Sequence, residues 1–71
     1  MEGFKLYKIY FIYKDIKNYV KAIVLGGEPF VHIIPAGLDE EIGIFEEDKA
    51  KKYVELLNEE NEIVEFYLEE D

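Results

Sequence analysis

Phe4-Lys5-Leu6-Tyr7-Lys8-Ile9-Tyr10-Phe11-Ile12-Tyr13 is the stretch on which the fold turns. It is dense in β-branched and aromatic residues, which fit a pleated, half-buried surface and favour a strand over a helix. Side chains alternate along a strand, so Tyr7, Ile9, Phe11 and Tyr13 share one face. Phe4, Leu6, Tyr10 and Ile12 share the other, interrupted by Lys8. Both faces are mostly apolar, which predicts an interior strand, or one whose second face is covered by another chain.

Working outward, Asp15-Ile16-Lys17-Asn18 is a turn candidate, because Asp and Asn bond nearby backbone and tolerate turn geometry. A second strand is expected from Tyr19 to Leu25, with Tyr19, Lys21, Ile23 and Leu25 opposite Val20, Ala22 and Val24. Gly26-Gly27-Glu28-Pro29 breaks it, Phe30 to Ile34 forms a third run, and Pro35-Ala36-Gly37 ends that one. Short turns between three strands imply an antiparallel meander. After the acidic loop Leu38-Asp39-Glu40-Glu41, Ile42-Gly43-Ile44-Phe45 reads as a fourth, short strand.

Glu46, Glu47 and Asp48 follow, where negative charge suits the exposed N–H groups of a helix's first turn. Ala50, Tyr53, Val54 and Leu57 recur at helical spacing, with Leu56 at the edge of that face. Glu47–Lys51, Asp48–Lys52 and Lys51–Glu55 are i,i+4 pairs worth only a few tenths of a kcal/mol each. Burial of the apolar face, at roughly 1.5–3 kcal/mol per large side chain, dominates them. Asn58 to Asn61 ends the helix. Ile63 to Leu68 is a last strand, with Val64, Phe66 and Leu68 on one face, and Glu69-Glu70-Asp71 is expected to be a solvated tail. The predicted class is therefore α+β: a mainly antiparallel sheet of four to five strands with one helix on one face, in the order β-β-β-β-α-β. Residues 42–68 resemble the layout of many small bacterial and phage proteins; the resemblance is generic and carries no functional residue across.

One helix covers one face of such a sheet. Uncovered apolar surface usually marks an interface, so a homo-oligomer is expected, a dimer above other assemblies. The chain's 71 residues form a single small acidic domain, and a domain this size buries only about 60% of its unfolded surface. It contains no cysteine, so neither disulfides nor thiolate metal sites support it, and His32 is its only histidine. No run approaches the roughly 20 apolar residues needed to span a bilayer, and Met1-Glu2-Gly3-Phe4-Lys5 does not read as a signal peptide. A cytoplasmic location and no membrane partner are expected. The Ile, Lys, Glu and Tyr bias points to an AT-rich genome or a thermophile.

The net charge of −9 is unevenly spread. Residues 1–27 carry five Lys against Glu2 and Asp15, a balance of +3, whereas residues 28–71 carry three Lys against fifteen acids, a balance of −12. Asymmetry of this kind speaks to partners and solubility rather than to fold.

Catalytic chemistry finds little to work with. The chain has no Ser, Thr or Cys, so hydroxyl and thiol nucleophiles are missing, and a lone His32 between Val31 and Ile33 lacks the partners of a catalytic histidine. Gly26-Gly27 leads into a strand rather than a helix N-terminus, which favours a turn over a phosphate loop. The carboxylates lack the spacing and central Gly of a calcium loop. No cofactor, no metal and no enzymatic activity are expected.

Two binding patterns remain. Asp39, Glu40, Glu41, Glu46, Glu47 and Asp48 form one acidic group, and Glu59, Glu60, Glu62 and Glu65 another. Together they suit a non-enzymatic interaction protein, in its sharpest form a small phage-type acidic inhibitor that imitates phosphates toward a host nucleic-acid-binding or defence protein. Alternatively Lys5, Tyr7, Lys8, Tyr10, Tyr13, Tyr19 and Lys21 interleave cations with aromatic faces, as a small anionic ligand such as a nucleotide requires at a subunit interface. Direct binding of polymeric nucleic acid is disfavoured by the overall charge. A structural domain of a thermophile, with no ligand, is the third expectation.

Overall fold

The computed structural model describes residues 5–28 and 30–71; the expectations that fall on Met1 to Phe4 and on Pro29 lie outside them. The elements are β1 (Leu6–Tyr13), β2 (Ile16–Leu25), β3 (Val31–Pro35), β4 (Phe45–Glu46), α1 (Glu47–Glu60) and β5 (Phe66–Glu70). The fold is α+β, in the expected order. All strand pairings are antiparallel: β3 pairs β2, β2 pairs β1, and β1 also takes β4 and β5. The stretch Leu6–Tyr13 is thus the hub of the sheet, as its two apolar faces require.

The first turn is tighter than expected. Tyr13 pairs Ile16, leaving only Lys14 and Asp15 between the strands, both left-handed (φ 52° and 63°). Two positive-φ residues make a type I′ turn, whose twist matches that of the flanking strands. Lys17 and Asn18 consequently belong to β2.

The expected alternation in β2 holds only as far as Val20. Val20 is fully buried and Ile23 packs on the same core, three residues on. A register shift between Val20 and Ala22 inserts one extra residue, which a bulge does by turning the strand. Beyond it Ile23 faces the core beside Ile33, and the flanking pairs Ala22–Ile34 and Val24–His32 take the opposite face.

Gly43 explains how the sheet tolerates that turn. Its N–H donates to the Val20 carbonyl at 3.0 Å, and a Cβ at this position would lie 2.4 Å from the Lys21 carbonyl oxygen. Only a glycine allows the chain to pass so close to β2. From there β4 takes up the edge of β1 that β2 has left, pairing Leu6 with Glu46 and Tyr7 with Phe45. Ile42, Gly43 and Ile44 therefore form a backbone wedge rather than the expected strand.

α1 packs against β1, β3, β4 and β5 on one face of the sheet. The buried core is Ile9, Val20, Val31, Ala50, Leu57 and Phe66, with Phe11, Tyr53, Val54 and Leu56 packed around it. The helix ends within the expected Asn58–Asn61 stretch: it runs to Glu60, and Asn61 closes it by donating its backbone and side-chain N–H groups to the Leu57 carbonyl at 2.9 and 3.1 Å. Of the three i,i+4 pairs, Glu47–Lys51 forms, at 3.3 Å.

Candidate functional site

The open face of the sheet collects the Lys and Tyr residues of the N-terminal hairpin. Strand pairing sets Tyr10 beside Tyr19 on β2 and Tyr67 on β5, and Lys8 beside Glu69. The Tyr10 ring stacks on Tyr67 with centroids 5.3 Å apart and meets Tyr19 edge-on at 6.1 Å. Lys17 Nζ lies 4.3 Å from the Tyr10 ring centre and 5.0 Å from that of Tyr19. These are favourable cation–π distances.

Glu69 closes the cluster. Its carboxylate accepts from Lys17 Nζ at 2.5 Å and from the Tyr19 hydroxyl at 2.9 Å, with Lys8 Nζ at 3.9 Å; Asp71 stands 3.6 Å from Lys8. The expected solvated tail Glu69-Glu70-Asp71 is therefore no tail. Residues 69 and 70 are the end of β5, and the Asp71 N–H continues its pairing by donating to the Leu6 carbonyl at 2.8 Å. The Lys17 hydrogen bond, then that of Tyr19, holds the Glu69 carboxyl below the usual carboxylate range, and the same contacts raise Lys17 well above the usual lysine value.

The seven residues expected to bind a ligand are thus divided. Lys8, Tyr10 and Tyr19 share the open face. Tyr7 lies on the helix side, where its hydroxyl donates to Glu47 at 3.3 Å. Tyr13 ends β1 at the hairpin tip, with Lys14 Nζ 5.4 Å from its ring centre. Lys5 precedes β1 and is exposed. Lys21 pairs with Glu40 at 2.7 Å, a carboxylate that also accepts from the Gly37 N–H. These two donors, Lys21 first, hold the Glu40 carboxyl below its usual range. Lys17, Tyr67 and Glu69 complete the open-face cluster although sequence reading did not select them. Glu69 was hidden by its position near the chain end, where a run of acids reads as solvated.

The acidic residues also divide. Glu46–Asp48 and Glu59–Glu60 stand at opposite ends of a helix of 14 residues, about 20 Å apart at 1.5 Å per residue. They do not form one surface. Several acids do structural work: Glu40 and Glu47 hold the partners already given, and Glu60 accepts from the backbone N–H groups of Phe30 and Val31 at 3.3 and 3.1 Å. Asn58 does the same at the other edge, donating to the Phe66 carbonyl at 3.2 Å and accepting from its N–H at 2.7 Å. The last helical turn therefore closes the starts of both outer strands, which blunts edges that would otherwise invite pairing with another chain.

Glu59, Glu62 and Glu65 hold no partner of this kind: all three are exposed, and among the described residues none has a cation within ion-pair distance, as is also true of Asp39, Glu41, Glu46 and Asp48. No Lys occurs after Lys52, whereas residues 53–71 carry eight acids. The last turn of α1 has no basic residue, so Glu59 sits at the negative end of the helix dipole, where an anion costs about 0.3–1 kcal/mol.

Beside this acidic end lies a groove of about 290 Å³ lined by Phe11, Val31, His32, Ile33, Leu57, Asn61, Val64 and Phe66. A second depression, of about 320 Å³, adjoins it through Asn61 and Val64 and is bordered by Glu62, Ile63 and Glu65. Sequence reading missed both, since the expected strand from Ile63 begins only at Phe66. Residues 62–64 are a bend instead, and Ile63 is 92% exposed.

Among the described residues no cluster of three His, Asp or Glu side chains is arranged to hold a metal ion, and no helix is long and apolar enough to cross a membrane. In comparisons with known proteins the chain matches no family model, no curated protein and no solved structure.

Proposed function

We propose that this chain is a non-enzymatic interaction protein that engages a positively charged protein partner through Glu59, Glu62 and Glu65. The observation that carries this reading is the sorting of the charges. On the sheet, Lys8, Lys17 and Lys21 are neutralised by Glu69, Asp71 and Glu40. At and just beyond the end of α1, Glu59, Glu62 and Glu65 have no cation within ion-pair distance among the described residues, and Glu59 sits where an anion weakens the helix. Local rules broken without an internal compensation are expected where function overrides stability. The same pairing leaves Lys8, Lys17 and Lys21 poorly available to an anionic ligand, so the acidic end supports an interaction reading better than the hairpin supports a nucleotide site.

A cytoplasmic, basic host protein of the nucleic-acid-binding or defence type is the kind of partner that fits, with the carboxylates standing in for phosphates. The test is in-cell cross-linking with the wild-type chain and an E59K/E62K/E65K variant of unchanged circular dichroism as baits. A partner captured by the first and lost by the second is expected; equal capture by both removes the reading.

A second reading concerns self-association. The sheet face opposite α1 carries Tyr10, Tyr19 and Tyr67, with Ile12, Val24 and Ile34 between 44% and 50% exposed, and no element among the described residues lies on it. A second copy covering this face, as a dimer, accounts for so much apolar surface. Sedimentation equilibrium decides: a Y67K substitution should dissociate the dimer, and a wild-type monomer at high micromolar concentration ends the idea.

A further inference from the structure

The acidic end of α1 does not stand alone; it borders an apolar groove, and the two together specify a more definite ligand. Val31, Leu57 and Phe66, which form its floor, are core residues exposed by 5% or less, so an inserted side chain would rest directly on the hydrophobic core. Ile33 and Val64 line the groove as well. Ile63 and the half-exposed Phe30 are nearby apolar surface, placed there by the bend after α1 and by the Glu60 contact with the start of β3. Glu62 and Glu65 border the adjoining depression.

We infer that this groove receives an apolar side chain from a basic amphipathic segment of a partner protein, whose flanking Lys or Arg residues pair with Glu59, Glu62 and Glu65. The inference rests on the interaction reading proposed above and names the partner's chemistry. An apolar groove with a charged rim is a general means of holding an amphipathic helix, the anchor giving affinity and the rim giving orientation and encounter rate. Charge complementarity selects the occupant. A nucleic acid or an anionic lipid surface brings phosphates toward carboxylates and is repelled. A second copy of this chain brings a net charge of −9 and lysines of the sheet that already have partners. A basic segment is attracted by the rim and buries its apolar residues in the groove.

The experiment uses fluorescence anisotropy of a synthetic Leu/Lys amphipathic peptide with the whole protein, at near-physiological salt so that diffuse attraction is screened. Binding is expected, with amide shifts concentrated at Val31, Leu57 and Val64 in a nuclear magnetic resonance titration. Replacing the peptide's Leu by Gln should weaken binding at least about tenfold, the scale of one buried apolar anchor. Replacing its Lys by Glu should abolish binding. On the protein side, V64D and, separately, E62K/E65K should each reproduce the loss. The double variant alters only exposed residues, so its result does not depend on how V64D folds. D39K/E41K should bind as wild type does, because Glu40 and Gly37 lie past the end of β3 and Glu60 lies at its start.

Equal binding of the Leu and Gln peptides overturns the groove while leaving the acidic interaction surface in place. Failure of the Leu/Lys peptide to bind, or binding that leaves the groove residues undisturbed, overturns the inference as well. Failure of the broader reading shows separately, as unchanged partner capture by the E59K/E62K/E65K bait.

Discussion

The open face of the sheet and the C-terminal end of α1 are both rich in charge, yet the fold treats them oppositely. On the sheet, Glu69 gathers Lys8, Lys17 and the Tyr19 hydroxyl over a row of tyrosines. At the helix end, Glu59, Glu62 and Glu65 face solvent without a cation among the described residues, beside an exposed Ile63. The first region spends its charges on holding strands together. The second leaves them exposed, Glu59 at some cost to the helix, and it is this that the proposed interaction rests on. A tally of Lys and Glu along the chain suggests the reverse, with a basic hairpin ready for anions and an acidic tail merely solvated.

The largest effect is expected where the sheet arrangement itself is at stake. Gly43→Ala places a Cβ 2.4 Å from the Lys21 carbonyl, and both backbones must move. The substitution should destabilise by about 3 kcal/mol, the upper part of the usual range for overpacking. It should also disturb the Tyr10–Tyr19 contact in near-ultraviolet circular dichroism. A denaturation midpoint equal to wild type would mean that β2 does not turn at Val20 as described.

Next in size, Asn58 and Glu59 are neighbours in opposite settings, one bonded to the start of β5 and one exposed without a cation, proposed to meet a partner. Asn58→Ala leaves the Phe66 N–H and carbonyl without their side-chain partner and should cost about 2 kcal/mol in urea unfolding. Glu59→Gln should cost nothing and gain a few tenths of a kcal/mol, because it removes an anion from the negative end of α1. Losses of equal size at both positions would erase the distinction between the two regions.

A pH titration probes the paired charges of the sheet from both sides. Glu69 and Glu40 have folded-state values below the ordinary 4.5, so each contributes stability that is fully present above about pH 4.5 and is lost as pH falls through the lowered value. Lys17 behaves in mirror image: its contribution is complete below 10.5 and is lost only as pH rises through its raised value. Acid unfolding of Glu69→Gln should therefore show a shallower pH dependence than wild type. It is read from melting temperatures between about pH 2 and 7, and a pH dependence equal to that of wild type would mean that Lys17 and Tyr19 do not hold Glu69 as described. The smallest effect is expected from Tyr19→Phe, which removes one hydroxyl from Glu69 and should cost about 1 kcal/mol or less by the same unfolding assay.

How much of this was legible beforehand differs by region. The two apolar faces of Phe4–Tyr13 announced a central strand, which holds over Leu6–Tyr13, and the spacing of Ala50, Tyr53, Val54 and Leu57 announced the buried face of α1, which holds as well. Strand faces beyond Val20 were misread because a bulge shifts a two-residue period by one, and no local pattern marks it. The end of α1 falls within the expected Asn58–Asn61 stretch, but the pairing role of Asn58 and the end of β5 past Glu69 were missed, because the two look like residues of a loop and a tail. Their partners lie 8 and about 50 residues away along the chain, at Phe66, Lys17 and Tyr19.

Local pattern and composition were enough for the class of the molecule: a small acidic α+β domain with the order β-β-β-β-α-β and without Ser, Thr or Cys. Periodicity and composition are local properties, and they suffice for that. Tertiary structure alone decided which charges are neutralised and which are left over, and that an apolar groove opens beside the unpaired acids. The reason is physical. Charges pair, and side chains line a cavity, according to distances in space, and the segments that bring Glu69 to Lys17 and Val64 to the groove of Val31 meet only in the folded chain.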